Sequence, residues 1–299
     1  MDTNPNRGAV VVGVDGSAPA HRALMWAAEE ARLRHRPLLV VHAVPPIGAG
    51  RHGRLVGAGV SAEALAEEAH VEATRLVTDA ADAVAERAGG LEVVTLVREE
   101  DPRSALLDLA PDAAMVVLGS RGRGPVKSLL MGSVGLALVR HAAAPVAVVR
   151  PAAPDVRREG VLVGTTSDEA TLPTLSVGYR EAALRAVPLT VVHCDWDADA
   201  PHGGWQRLPE DSPGFERSNR WIAESLAGLA AQFPDVERRV VVARGSVDRC
   251  LQDLSADHEL VVVGRHGASP FDLAGFGSVA TPLVEHAHTT VLVVPNPRG

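Results

Sequence analysis

At 299 residues the chain exceeds one typical domain and suits two of about 150 residues each. Hydrophobic residues make up 46% and charged residues 22%, an ordinary globular balance, and aromatics at 3% leave Ala, Val and Leu to build the cores. A formal net charge of −8 argues against a general nucleic-acid or membrane-surface binder, because such proteins carry a basic excess. The two cysteines, Cys194 and Cys250, show no CxxC spacing and imply neither a disulfide framework nor a cysteine zinc site; they read as buried small apolar residues. The opening "MDTNPNRG" lacks the basic and apolar regions of a signal peptide, and no apolar run nears the ~18 residues that cross a bilayer. The expectation is a cytoplasmic protein with no membrane span.

Along the chain, Val-rich runs at 9–14, 37–44, 91–97, 114–119 and 145–150 do not alternate apolar with polar, so they read as strands buried on both faces. Helical stretches separate them. "SAPAHRALMWAAEEARLRHR" opens on a Ser17 N-cap and carries Ala23, Trp26, Ala27 and Ala31 at helical spacing. "PPIGAGRHGRLVGAG", residues 45–59, is unpatterned and reads as a mobile loop after the second strand. "SAEALAEEAHVEATRLVTDAADAVAERAGG" is a second helix with a Gly-Gly stop. A Pro-rich charged linker, "RPAAPDVRRE" at 150–159, precedes a repetition of the same order, with strands near 160–165, 188–194, 237–243, 259–264 and 289–294.

The repetition has a measurable register. Gly13 with Gly164 and His42 with His193 lie 151 residues apart, whereas Gly119 with Gly264 and Gly132 with Gly277 lie 145 apart. Two tandem domains follow, 1–150 and 151–299. Strands alternating with helices predict an α/β fold in each: a five-stranded, mainly parallel, Rossmann-like sheet with helices on both faces.

Behind the fourth strand lies "VVLGSRGRGPVKSLLMGS", residues 116–133. Glycines let backbone N–H groups converge on an anion, and Ser133 stands where a helix N-terminus offers further N–H groups and a positive dipole end. Arg121, Arg123 and Lys127 add positive charge. The arrangement reads as a polyphosphate cradle. Walker A spacing fails because Val126 precedes Lys127-Ser128, and "GVDGSA" after the first strand fails the dinucleotide GxGxxG.

Gly-two-Gly-nine-Gly-Ser after a fourth strand resembles the ATP-binding signature of the universal stress protein family. "VGVDGS" and "VVHAV" support the resemblance. A second match, Gly264, Gly267 and Gly277-Ser278, makes this a tandem-domain member. The resemblance implies a nucleotide-responsive role in stress, dormancy or growth control, with ATP accompanied by Mg²⁺ as ligand. By position, Asp15 would contact adenine and the backbone of Val41 would lie beside the base. Gly119, Gly122, Gly132 and Ser133 would hold ribose and phosphates, next to Val134, with Arg121 a candidate phosphate contact. In the second domain Val192, Gly264, Gly267, Gly277, Ser278 and Val279 take those places, with Arg265 beside them. Thr166 stands where the first domain has Asp15, and Asp168 follows two residues on. A hydroxyl makes no charge-assisted bond, so weaker binding is expected there.

Simpler roles stand beside these. Asp15 as a cap of the helix that follows and His42 and His193 as strand ends are the plain alternatives, and His141, His286 and His288 suit helix C-termini. No HExxH or paired His/Asp cluster points to a metal. Hydrolysis wants a base at a repeated position, and Asp272 in the second loop has no counterpart in the first, so no enzyme is expected beyond slow incidental turnover. The last strand of each domain, apolar and at a sheet edge, invites pairing. The resemblance implies that the domains pair this way within the chain, that two chains form a homodimer, and that a regulatory protein partner reads the nucleotide state.

Overall fold

Val10, Val11 and Val12 are fully buried in strand β1 (Val10–Gly13), which is possible only in a strand covered on both faces. The computed structural model describes residues 6–45, 61–122, 131–151, 158–166, 169–197, 204–265 and 279–295. The chain divides into two compact units, Met1–Val149 and Arg150–Gly299.

In the first unit β1 is followed by α1 (Ala18–Leu33), β2 (Leu38–Ala43), α2 (Ala62–Arg87), β3 (Val93–Arg98), α3 (Pro102–Leu109), β4 (Met115–Gly119), α4 (Ser133–His141) and β5 (Val146–Val149). The strands are parallel in the order β3-β2-β1-β4-β5. Right-handed crossovers therefore place α1 and α2 on one face and α3 and α4 on the other. The order reverses between β1 and β4, the point where open α/β sheets bind ligands at their C-terminal edge.

Local chemistry explains the helix starts. Ser17 caps α1, its hydroxyl accepting the Ala20 N–H at 3.3 Å, and Ser61 caps α2 in the same way. Asp101 caps α3 and is clasped by Arg103, whose guanidinium pulls its carboxyl down to about 2.

The second unit repeats the plan with β6 (Val161–Thr165), α5 (Leu172–Arg185), β7 (Leu189–Trp196), β8 (Trp205–Arg207), α6 (Pro213–Gln232), β9 (Arg238–Gly245), α7 (Val247–Leu254), β10 (Leu260–Arg265), α8 (Ala280–His286) and β11 (Thr290–Pro295). Its strand order is β11-β10-β6-β7-β9-β8. β8 is an addition to the expected five strands, short and antiparallel to β9. It covers the outer edge of β9, and the Trp205 indole N–H fastens it to Asp253 of α7 at 2.9 Å. Gly245, at φ +131°, permits this, since a Cβ there would overlap the Gly204 carbonyl oxygen.

Each unit also buries an ion pair that composition did not single out. Glu30, 2% exposed, meets Arg34 at 2.9 Å in α1, and Glu181, 1% exposed, meets Arg185 in α5. Both pairs keep the 151-residue offset.

Glu259 sits nearby with a buried Oε1 that has no hydrogen-bond partner among the described residues. Burial pushes its carboxyl up, opposed by the charge of Arg185. A raised acid stabilises the fold most below its ordinary range, and that contribution is lost as pH rises. Glu259→Gln is therefore expected to raise the unfolding midpoint of the second unit at neutral pH. The gain should vanish as pH falls below the ordinary carboxylate range, which melts at a series of pH values would read.

Candidate functional site

Three of the expected site residues meet at the reversal point of the first unit. Asp15 follows β1 directly, and its Oδ1 accepts the Ser17 N–H at 3.0 Å. Helix capping belongs to Ser17, so Asp15 orders the turn rather than capping the helix. Its other oxygen faces the glycine loop: a methyl built on Gly122 would lie 2.6 Å from Asp15 Oδ2. A methyl on Gly132 would come within 3.9 Å of the Gly122 nitrogen. Residues from the ends of β1 and β4 and from the start of α4 thus converge.

The α4 N-cap is Gly132, which has no side chain to bond the first turn. Ser133, exposed, is the first helical residue, and half-buried Val134 follows. The first-turn N–H groups and the dipole give this end a positive field suited to an anion. Arg121, exposed, precedes Gly122. Gly119 has a different task. A Cβ there would lie 2.7 Å from the carbonyl carbon and oxygen of Pro19, because the end of β4 presses on the first turn of α1.

Val41 is buried at the end of β2, and its carbonyl accepts the Val14 N–H at 2.9 Å. The neighbouring His42 does more than end the strand: its Nδ1 lies 2.7 Å from the Val14 carbonyl oxygen, one residue before Asp15. His193 repeats this on Thr165 at 3.3 Å, and its Nε2 lies 3.2 Å from Asp195 Oδ1. Both histidines brace the turn that leaves the first strand of their unit.

In the second unit Thr166 stands at that turn within a threonine network. Thr171 Oγ1 accepts the Thr166 N–H at 3.4 Å and lies 3.0 Å from Thr165 Oγ1. Val192 is buried in β7, Gly264 is buried in β10 with Arg265 at its end, and Val279 is the N-cap of α8. Gly267, Gly277 and Ser278 lie outside the described residues, as do Arg123, Lys127, Asp168, Asp272 and the segment 46–60.

A cleft of about 410 Å³ opens between α1 and α2, bordered by Val14, Gly16, His21, Glu72, Arg75 and Asp79. It touches the Asp15 turn from the helix side and does not include Gly119, Gly122 or Gly132.

Two different glycine substitutions separate packing from the site. Gly119→Ala drives a methyl into rigid backbone and is expected to lower stability by about 1–3 kcal/mol, the usual range for overpacking. Gly122→Ala meets only the end of a side chain, so the Asp15 carboxylate swings aside and the melting temperature should hardly move. Thermal melts of the two variants side by side would check this.

The architecture defines a class: two doubly wound α/β units in tandem, the first bringing Asp15, Gly122 and the start of α4 together at its reversal point. The model of the Universal stress protein family matches residues 6–150 and again residues 158–295. A universal stress protein of Mycolicibacterium smegmatis is 33% identical over 294 residues, covering 95% of this chain and 96% of that protein. One from Mycobacterium tuberculosis (strain ATCC 25618 / H37Rv) is also 33% identical, over 311 residues, with 97% and 95% covered. The crystal structure of a universal stress protein from Archaeoglobus fulgidus DSM 4304 shares the fold at a TM-score of 0.70 and 15% identity, covering 97% of both chains. The chain belongs to the universal stress protein family.

Proposed function

We propose that this chain is a nucleotide-binding regulatory protein of the stress response, binding ATP at the reversal point of the first unit and, more weakly, at that of the second. One observation carries the reading: Asp15 Oδ2 lies against Gly122, and the Gly122 nitrogen lies near the uncapped start of α4 at Gly132. Adenine or ribose hydroxyls would donate to Asp15. The phosphates would take the backbone N–H groups near Gly122 and those of the α4 first turn, where Ser133 adds a hydroxyl. Gly119 sets the distance between β4 and α1, and Mg²⁺ would share the charge of the triphosphate. Thr166 can accept a hydrogen bond and carries no charge, which argues for the weaker second site. Occupancy of the two sites, rather than turnover, would then be the signal passed to a protein partner.

The experiment is to denature the purified full-length protein, identify any released nucleotide by chromatography, and titrate the emptied protein with ATP and Mg²⁺. Two unequal binding phases are expected, the tighter one lost in Gly122→Ala at unchanged melting temperature. A single phase removed by that variant would confine binding to the first unit. No binding at saturating ATP would overturn the proposal and leave the glycine loops as turns in an interaction scaffold.

A further inference from the structure

We propose that Cys194 and Cys250 form a reversible intramolecular disulfide, a redox modification site confined to the second unit. They are the two cysteines of the chain, 56 positions apart in sequence, and the fold brings them together. Cys194 lies near the end of β7 and Cys250 in the first turns of α7. Side chains alternate along β7, so Cys194 opposes its neighbour His193, whose ring lies 6.2 Å from Trp221 of α6. Cys194 therefore points to the face covered by α7, where Leu251 packs over Gly164 of β6. Cys250 is fully buried and Cys194 half-buried, and the two thiols lie close enough to perturb each other's ionisation. Among the described residues, only weak carbonyl contacts compete for Cys194 Sγ, at 3.9 Å to Asp195 and 4.0 Å to Gly245.

The duplication provides an internal comparison. At the repeat offsets, Cys194 corresponds to Ala43 of β2 and Cys250 to Ala105 of α3. Ala105 is fully buried, and α3 lies against β2 as α7 lies against β7. The same two facing positions hold alanine twice in one unit and cysteine twice in the other. A buried small residue alone does not explain sulfur at both.

The environments assign the roles. Interaction with the neighbouring Cys250 thiol lowers Cys194 below its ordinary range against the opposing effect of burial, while Cys250 is pushed up. Cys194, the accessible partner, attacks a hydroperoxide: its sulfur takes the terminal oxygen, the O–O bond breaks, and one molecule of water leaves when the oxidant is hydrogen peroxide. The sulfur of Cys250 then displaces that hydroxyl as a second water, forming the S–S bond. Two thiols are oxidised, one peroxide is reduced, and a dithiol reductant reverses the change.

The test treats the full-length protein with hydrogen peroxide and follows free thiols together with non-reducing peptide mass mapping. Both thiols should disappear in step, with the Cys194 and Cys250 peptides joined within one chain and released by a dithiol. Cys250→Ala and Cys194→Ala, which copy the alanines of the first unit, guard against loss of fold. Cys250→Ala should leave a sulfenic acid on Cys194 that dimedone captures, and Cys194→Ala should leave Cys250 unreactive. Persistence of both thiols, oxidation of Cys194 without linkage to Cys250, or a disulfide only between chains would each overturn the proposal.

Discussion

Asp15→Ala is expected to weaken ATP binding at the first unit about 10- to 100-fold, the loss that follows when a hydrogen bond to a charged group worth about 1.5–3 kcal/mol is removed. The carboxylate has two tasks. One oxygen accepts the Ser17 N–H and shapes the turn, and the other faces Gly122. Asp15→Asn separates them, because its amide oxygen can still serve the Ser17 N–H while the charge is gone. Calorimetric titration of the full-length variants should rank wild type above Asn and Asn above Ala, with the weaker Thr166 site unchanged in all three. Equal affinities for the three proteins would reduce Asp15 to a turn residue and remove the base of the nucleotide assignment.

Arg185→Met should cost the second unit about 3–5 kcal/mol, the usual result of stranding one partner of a buried ion pair. Glu181 is 1% exposed and would be left buried without its Arg185 cation, and Glu259 would lose the charge that opposes its burial. For a unit of this size the loss corresponds to a fall in melting temperature on the order of 10 °C. The double variant Glu181→Leu/Arg185→Met removes both charges and should recover most of it. Differential scanning calorimetry would check both, with Arg34→Met as the matching test in the first unit. A single-variant shift within error, or a double variant no better than the single, would show that the pair is solvated in solution.

Much of the architecture was legible because its signals are local. Unbroken valine runs marked the doubly covered strands, Ser17 and Ser61 marked helix starts, and the 151- and 145-residue offsets located the second unit. The glycine spacing led to Gly122, which the fold places against Asp15, and to Gly132, which lies near the Gly122 nitrogen. What escaped depends on partners distant in sequence. β8 is three residues long with no period of its own, and it exists because β9 offers an edge and α7 offers Asp253. Glu30 reads as surface charge until its place is noted, three residues after Ala27 on the buried stripe of α1. The histidine braces looked like strand ends, since a carbonyl acceptor 28 residues away leaves no local trace. The cysteines seemed to share no context, although aligning each against its counterpart in the first unit would have returned alanine at both.

The two bonds that hold the Asp15 turn bear on the speed of binding. His42 bonds the Val14 carbonyl on one side and Asp15 draws in the Ser17 N–H on the other, both within the protein's own framework. The turn is therefore held by bonds within the protein itself, and if it binds the nucleotide as proposed, little ordering entropy would be lost there on association. Under the proposed function, a nucleotide would meet a turn that needs no prior refolding, and its encounter with Asp15 is expected to proceed without a slow rearrangement of the β1–α1 connection.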